Sequence, residues 1–324
     1  MRRKIFKMFK MIVILILALA VVGSLWNFVC KQIELPKTES AYGKSINVKG
    51  KNMVVVCKGE ENNSNPPIIL LPGLGSPSPG LEFKPLADKL SKDYKVVIVE
   101  PFGYGLSEQT DSERNVENIV KELHECLQEM NISRYYLMGH SISGLYSLYY
   151  ANQYQEEVCG VIGIDASVPK QNENEPFDVA KLNMLSAYLG KMKNVLGINR
   201  VLSIGNPQKV IYADTTYSYS EKELDIFRIL TINNFYNDTI MDELKMITKN
   251  LKAVRNMKFP EDVPVLSFVS EQNCEIFPNW EQLHRDVIVD KENSKVILLK
   301  GGHYLHIDCS EDVVIGAREF INNK

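Results

Sequence analysis

A serine at position 141 ends an apolar run and precedes a helix-like pattern, in the stretch Leu-Met-Gly-His-Ser-Ile-Ser-Gly. A serine on such a sharp strand-to-helix turn, a nucleophile elbow, has an exposed hydroxyl that can attack a bound carbonyl. The turn crowds the backbone, so the residues beside the serine must be small. Gly139 meets this condition, but Ser143 stands at the second crowded position and Gly144 comes one step later. The segment therefore indicates a nucleophile, with an imperfect match to Gly-x-Ser-x-Gly.

A serine hydroxyl is barely ionised at neutral pH, so it needs a neutral imidazole that can accept its proton. The chain has five histidines. His303 follows a strand-like run and two glycines, which predicts a loop at the edge of a sheet, and we favour it as the general base. His306 is the alternative, and a structural role for both stays open. His124 and His284 lie in helix-like stretches, and the side chain of His140, next to the serine, is expected to point away from it.

The elements that must position these residues alternate along the chain. Continuous Val/Ile/Leu runs predict strands at 67–71, 94–99, 135–140, 158–164, 263–269 and 296–299. Helical periodicity predicts helices at 116–130, 142–153, 279–287 and 311–321. Buried strands that alternate with helices are typical of a parallel sheet covered on both faces. Polar and glycine-rich residues follow the strand ends, where such sheets place their sites.

With these elements in place, the chain resembles the capped, serine-nucleophile branch of the α/β-hydrolase superfamily from about Lys44 to the C-terminus. Four short motifs carry the resemblance, in order: Pro72-Gly73-Leu74-Gly75, Gly103-Tyr104-Gly105-Leu106-Ser107, Gly139-His140-Ser141 and Gly302-His303. The resemblance implies an α/β fold with a mostly parallel central sheet flanked by helices and an inserted helical cap. The residues before Lys44 add an N-terminal transmembrane helix to this fold class.

The resemblance also implies roles for individual residues. Ser141 would attack, His303 would take its proton, and the backbone N–H groups of Ile142 and Leu74 would hold the oxyanion. Pro72 stands where relatives often carry a histidine, which leaves these backbone donors intact. A serine forms an acyl-enzyme and suits esters, thioesters or amides. Relatives that open epoxides or remove halides use an aspartate at the elbow, so Ser141 argues against those reactions.

The carboxylate that orients the histidine is the least determined member of the triad. Asp165 ends the strand after the elbow, a place where some relatives carry their acid, and we favour it. Glu271 follows the later strand, where relatives more commonly have the acid, and is the alternative. The usual position in that loop is occupied by Asn273, which has no negative charge. A third alternative is that neither Asp165 nor Glu271 is the acid of the triad.

Residues 167–256 form a long insertion in a core of residues 44–166 and 257–324. It is rich in apolar residues at helical spacing, which include Leu182, Leu185, Tyr188, Leu189, Met192, Ile226, Phe227 and Leu230. By resemblance this is a helical cap over the active site. We expect most of these side chains to pack the cap on the core and a minority to line the pocket, which favours an apolar acyl substrate.

The N-terminus has a basic end, residues 1–10, and then an uncharged run over residues 11–30. Twenty helical residues span about 30 Å, the thickness of a bilayer core. The basic end predicts a single-pass signal-anchor with the catalytic domain on the extracytoplasmic side of the cell membrane. Residues 31–43 are predicted to be a polar linker. A removable signal peptide, cleaved after Ala18-Leu19-Ala20 to give a secreted protein, is the alternative.

The composition agrees with a globular enzyme and argues against nucleic acid as a partner. Apolar residues make up 45% and charged residues 24% of the 324 residues. The net charge is −3, and the first ten residues carry five positive charges, so the remainder is about −8. An acidic body is not expected to bind nucleic acid. We find no zinc-like Cys/His spacing and expect no metal and no cofactor.

The sequence therefore predicts a membrane-anchored serine hydrolase that cleaves a carboxylic ester or a similar acyl bond through an acyl-enzyme. Two alternatives stay open. An aminopeptidase-type hydrolase would need acidic cap residues to hold a free amine, for which Asp178, Asp214, Glu221 and Glu223 are available. A non-catalytic binding protein on a hydrolase scaffold is the other, supported by Asn273 and Ser143. The identity of the substrate, the disulfide state and the oligomeric state are left open.

Overall fold

A single eight-stranded sheet organises the computed structural model, which describes residues 2–60, 65–173, 179–277 and 279–323. The strands are β1 (Lys44–Val48), β2 (Lys51–Lys58), β3 (Ile68–Leu71), β4 (Val96–Glu100), β5 (Tyr135–His140), β6 (Val158–Ile164), β7 (Val265–Ser270) and β8 (Lys295–Leu299). Their order is β1-β2-β4-β3-β5-β6-β7-β8. β2 runs antiparallel to β1 and β4, and all other neighbours are parallel.

Helices cover both faces of this sheet. In chain order, the helices of the described residues are α1 (Arg2–Glu34), α2 (Pro79–Glu82), α3 (Lys84–Leu90), α4 (Val116–Glu129), α5 (Ser143–Gln153), α6 (Val179–Val195), α7 (Ile198–Ser203), α8 (Glu221–Asn234), α9 (Asp238–Val254), α10 (Glu271–Ile276), α11 (Trp280–Asp286), α12 (Leu305–Asp308) and α13 (Ser310–Asn322). One core layer is formed with α4 and α5, and the other with α3 and α13. Every residue of β3, β4, β5 and β7 is buried, as expected for strands covered on both sides.

The predicted fold class is confirmed: the chain is a mostly parallel α/β sheet flanked by helices. All six predicted strands and all four predicted helices are present within about two residues of their predicted ends. The β1–β2 hairpin was not predicted. β1 is mostly exposed and has no continuous apolar run, whereas β2 does contain one, Met53–Cys57, which the strand prediction missed.

Four helices, α6 to α9, lie between β6 and β7, where the sequence predicts the cap. The apolar residues of α8 behave as expected, since Ile226, Phe227 and Leu230 are buried. Those of α6 differ: Leu185 and Leu189, with most of the other large apolar side chains of that helix, are at least half exposed. Packing of the cap on the core therefore explains the apolar residues of α8 but not those of α6.

The N-terminal helix α1 is longer than the predicted span at both ends, and none of its residues is buried. It is long and apolar enough to cross a membrane. The segment predicted as a linker is attached to the body: a 3₁₀ turn at Leu35–Thr38 follows α1 directly, and Thr38 is buried. Tyr42 then donates its hydroxyl to Glu100 at 2.8 Å.

Candidate active site

Ser141 lies between β5 and α5 on a strained turn. Its φ angle is 53°, in the left-handed region that a non-glycine residue seldom adopts. Three backbone hydrogen bonds hold it: its N–H donates to Ile164, and its carbonyl accepts from Gly144 at 2.9 Å and from Ser167 at 2.7 Å. The strand and the helix thus fix the direction in which the hydroxyl is presented.

The imperfect elbow motif has a structural reason. A Cβ on Gly144 would lie 2.4 Å from the carbonyl oxygen of Ser167, so the position that admits no side chain is 144, one residue later than in the motif. Ser143 is accommodated beside Gly139, and its hydroxyl donates to the carbonyl of Pro72 at 2.5 Å. That bond connects the elbow to the loop after β3. Ser143 therefore makes a stabilising contact that a glycine at this position could not make.

His303 lies in the loop after β8 and joins the serine to a carboxylate. Its Nε2 is 2.9 Å from the Ser141 Oγ, and its Nδ1 is 2.7 Å from Asp165 Oδ2. Because a carboxylate can only accept, Nδ1 carries the hydrogen and Nε2 is free to accept the serine proton. The His303 side chain is 38% exposed, so substrate can reach it. The three side chains favoured from the sequence are therefore brought together in a triad arrangement.

Asp165 ends β6 and is completely buried. Besides His303, it accepts hydrogen bonds from the Ser270 N–H at 3.0 Å, from the Trp280 indole at 2.9 Å and from the Asn273 amide. Burial alone would raise the pKa of Asp165, but the bond to His303, the charge of that histidine and the Ser270 and Trp280 donors together hold it below its ordinary value. The carboxylate is thus kept ionised in a buried place. Asn273, which occupies the loop position of the usual acid, serves as one of its donors.

The remaining candidates lie elsewhere. Glu271 begins α10, and no contact with His303 is seen in the part of the chain that the structure describes. His306 is buried beside Glu82, at 3.3 Å between Nε2 and Oε1. His124 stacks on Tyr154, and His284 is buried beneath Trp280, where burial lowers its pKa to about 4.

His140 has a part that the sequence reasoning missed. Its Nε2 lies 3.0 Å from the carbonyl oxygen of His303, so this nitrogen is protonated and donates to the backbone of the proposed base. Burial lowers the pKa of His140 well below its ordinary value, and the neighbouring His306 and His303 lower it further, so the ring stays neutral. As expected, the side chain of His140 points away from Ser141. Its hydrogen bond to the His303 carbonyl positions the loop that carries His303.

The loop that contains Leu74 is held from the cap. The Gly75 N–H donates to the Tyr104 hydroxyl at 3.3 Å, and that hydroxyl donates to Glu243 of α9 at 2.9 Å. The Tyr146 hydroxyl donates to the other oxygen of Glu243 at 2.6 Å. Tyr104 follows Gly103 in a motif that the sequence analysis had singled out, but its partner in the cap could not be found by spacing.

Two clefts meet at Ser141 and His303 and share Leu74 and Tyr236. One has a volume of about 380 Å³ and is lined by Ile142, Asn183, Leu244, Ile247, Phe277 and Trp280, among others. The second, of about 210 Å³, includes Val210, Tyr212, Phe235 and Tyr304. Two spaces on either side of one hydroxyl suit an acyl group and its leaving group.

Of the cap acids that an aminopeptidase would need, the three that the structure describes do not line these clefts. Asp214 accepts from Thr216, Glu223 forms an ion pair with Lys84, and Glu221 is exposed. Asp178 lies outside the described residues.

One cluster could in principle hold a cation. The ligand atoms of Glu82, His140 and His306 lie within 4.8 Å of one another, and all three side chains are buried. However, His140 already uses Nε2 for the His303 carbonyl, and its Nδ1 faces Gly73 so closely that a Cβ there would lie 2.6 Å away. The donor set therefore fits a histidine that positions a loop better than it fits a metal ligand.

The chain belongs to the α/β-hydrolase fold family, whose model matches residues 66–308. It is 26% identical over 279 residues to the uncharacterized protein YbdG of Bacillus subtilis, with 84% of this chain and 83% of that protein covered. The fold is similar to that of an epoxide hydrolase from Vigna radiata (TM-score 0.64, 17% identity, 87% of this chain and 98% of that one). It is also similar to that of an esterase from Exiguobacterium antarcticum (TM-score 0.60, 16% identity, 86% and 99%). At these identities the solved structures support the fold alone.

Proposed function

We propose that the protein is a membrane-anchored serine hydrolase that cleaves a carboxylic ester or a similar acyl bond. The observation that carries the proposal is the pair of hydrogen bonds through His303, 2.9 Å to Ser141 and 2.7 Å to Asp165. A nucleophile, a base and an orienting acid in this geometry are the set that acyl transfer requires. Membership of a hydrolase family supports the same class of reaction.

In the proposed mechanism, Ser141 Oγ bonds to the substrate carbonyl carbon while its proton passes to His303 Nε2. The carbonyl π electrons move to oxygen, and the N–H groups of Leu74 and Ile142 stabilise the oxyanion. The oxyanion then re-forms the carbonyl, and the leaving alcohol departs with the proton from His303. A water activated by the same histidine hydrolyses the acyl-enzyme. Asp165 holds the tautomer and stabilises the imidazolium that forms in each step.

Membrane attachment is the second part of the proposal. α1 contains a twenty-residue uncharged run that follows a basic end, which is the pattern of a signal-anchor with its basic end in the cytoplasm. Removal of a signal peptide after Ala20 would leave a secreted enzyme with a mass lower by about twenty residues. Intact mass of the protein from the native host, after alkaline extraction of membranes, distinguishes the two outcomes.

The test of the catalytic proposal is labelling with a fluorophosphonate probe. Wild type should be labelled and should hydrolyse a short-chain nitrophenyl ester, and Ser141→Ala should lose both. Ser112→Ala, a change at an exposed serine far along the chain from the elbow, is the matched control and should keep both. Folded wild-type protein that reacts with neither reagent, or labelling that survives in Ser141→Ala, would contradict the proposal.

A further inference from the structure

The outer face of the cap carries an unusual concentration of exposed apolar side chains. Outside α1, ten of the fifteen large apolar side chains that are strongly exposed among the described residues lie between Leu182 and Ile204. On α6 they recur at positions 182, 185, 189 and 192, which share one helix face. Val201 and Ile204 continue the surface on and just after α7, at 56% and 67% exposure. We call this surface, from Leu182 to Ile204, the apolar cap face. An apolar patch of this kind marks an interaction site.

The apolar cap face adjoins the proposed membrane span directly. A Cβ on Gly23 of α1 would lie 2.5 Å from the carbonyl oxygen of Leu196, and a Cβ on Gly197 would lie 3.2 Å from the Trp26 ring. Two glycines thus let the backbone of α1 and the α6–α7 corner come into close contact, as small residues do between helices in membranes.

Polar contacts fix the same junction. Arg200 of α7, which is 4% exposed, donates to Asn27 at 2.6 Å and pairs with Glu34. Glu34 also pairs with Arg228 of α8 at 3.0 Å. Glu34 is the last residue of α1, so these bonds hold the cap at the extracytoplasmic end of the span.

The depth of the contact follows from helix geometry. Gly23 lies seven residues before the end of the uncharged run at Cys30, which is about 10 Å along a helix. A segment that touches Gly23 must lie about that far inside the apolar layer, at the level where amphipathic helices bury their apolar faces. The α6–α7 corner at Leu196 therefore belongs at the depth of lipid acyl chains, and the exposed apolar side chains of α6 and α7 extend from this corner.

We propose that the apolar cap face is embedded in the outer leaflet of the membrane that α1 crosses, and that the enzyme takes acyl ester substrates from that leaflet. This inference rests on the membrane anchoring under Proposed function and extends it to a substrate class, an amphiphilic acyl ester dissolved in the bilayer. α6 is the element that links the two: its outer face is apolar, while Asn183 on the same helix lines the cleft with Ser141. Ala187 is fully buried, and Gly190 packs against Phe235 near the second cleft. One helix thus separates the proposed nucleophile from the lipid.

Tryptophan fluorescence tests the docking without any assay of activity. Full-length Leu189→Trp, in vesicles of phosphatidylcholine brominated in the mid-acyl chain, should lose more than about half of the added emission relative to unbrominated vesicles. Ile315→Trp, at a site of α13 with nearly the same exposure as Leu189 (51% against 50%), is the matched control and should be quenched little. Equal quenching of the two probes would overturn the docking, whatever the enzyme hydrolyses.

A paired activity measurement tests the substrate class. Leu185→Glu/Leu189→Glu places two charges at acyl-chain depth, so hydrolysis of a monoacylglycerol in vesicles should fall about tenfold or more. Hydrolysis of nitrophenyl butyrate in water should stay within about twofold, because neither residue lines the clefts. Ile315→Glu should change neither rate.

An unchanged rate on the monoacylglycerol, or an equal loss on both esters, would overturn the substrate class. A wild-type enzyme that hydrolyses neither ester would overturn the proposed function instead, and the quenching result would still decide the docking.

Discussion

Asp165 is a fully buried carboxylate with four hydrogen-bond partners, and this environment distinguishes it from every other acid near His303. A buried charge is stable only when it is well hydrogen-bonded, so the donors from Ser270, Asn273 and Trp280 are what allow an ionised group here. A group whose pKa is lowered in the folded state adds stability above its unfolded pKa and loses it as the pH falls through the lower, folded value. Asp165 should therefore stay ionised throughout the neutral range.

Asp165→Asn should lower kcat by about 10⁴-fold, because the Ser270 and Trp280 donors would hold the amide oxygen and leave the amide NH2 facing Nδ1. The NH2 group would donate to Nδ1, so His303 would take the wrong tautomer. Glu271→Gln, the matched change at the alternative acid, should leave kcat within about threefold. Steady-state kinetics on a soluble nitrophenyl ester measures both. The opposite order of effects would assign the acid to the loop after β7.

At the scale of elements, the strand-to-helix junctions set the geometry of the site. α5 begins at Ser143, and Gly144 in its first turn packs against the backbone of Ser167, two residues after Asp165. The nucleophile and the acid thus lie on adjacent parallel strands, and one close contact sets the spacing of the loops that follow them. The same contact explains why the glycine at 144 matters more than the motif would suggest.

Gly144→Ala should lower the free energy of unfolding by about 1–3 kcal/mol, since the added methyl group would lie 2.4 Å from the Ser167 carbonyl oxygen and must push the loop away. Thermal or urea unfolding followed by circular dichroism measures the loss. Gln153→Ala, at an exposed position at the end of the same helix, is the control and should be nearly neutral. If Gly144→Ala unfolds with the same free energy as the wild type, the close contact between Gly144 and Ser167 does not set the spacing of the two loops.

How far these elements could be predicted depends on the range of the interactions that form them. The central strands were predicted because burial on both faces leaves a continuous apolar run. β1 is mostly exposed and leaves none, and the run Met53–Cys57 of β2 was missed. The nucleophile and the base were suggested by local turns. The sequence favoured Asp165 over Glu271 without determining the choice, because the choice depends on donors such as Trp280 that are far away in the sequence. For the same reason, His140 was assigned no part in holding His303.

At the scale of the whole molecule, a buried acid away from the proposed catalytic residues affects stability. Glu100, at the end of β4, is completely buried and accepts from Tyr42, from the Gly80 N–H at 2.9 Å and from the Leu106 N–H at 2.7 Å. Burial raises its pKa to about 7, although these hydrogen bonds oppose the rise. Between about pH 4.5 and pH 7, Glu100 is therefore protonated in the folded state and ionised in the unfolded chain.

Because this pKa is raised in the folded state, the stability that Glu100 contributes is present below about pH 4.5 and is lost as the pH rises through about 7. Between pH 5 and pH 8 the loss should be roughly 2 to 3 kcal/mol. Glu100→Gln cannot titrate, so it should remove that part of the pH dependence of unfolding. Urea unfolding of both proteins at the two pH values is the measurement, and parallel pH profiles would show that Glu100 is ionised throughout.

The junction of Glu34 with Arg200 and Arg228 has a mechanical consequence. The Glu34 carboxylate at the end of α1 forms ion pairs with two helices of the cap, so these helices cannot move away from α1 as a free lid without breaking both ion pairs. In the proposed membrane-anchored arrangement, a wide opening of the clefts would instead move the α/β body, with Ser141, away from a cap that stays at the membrane.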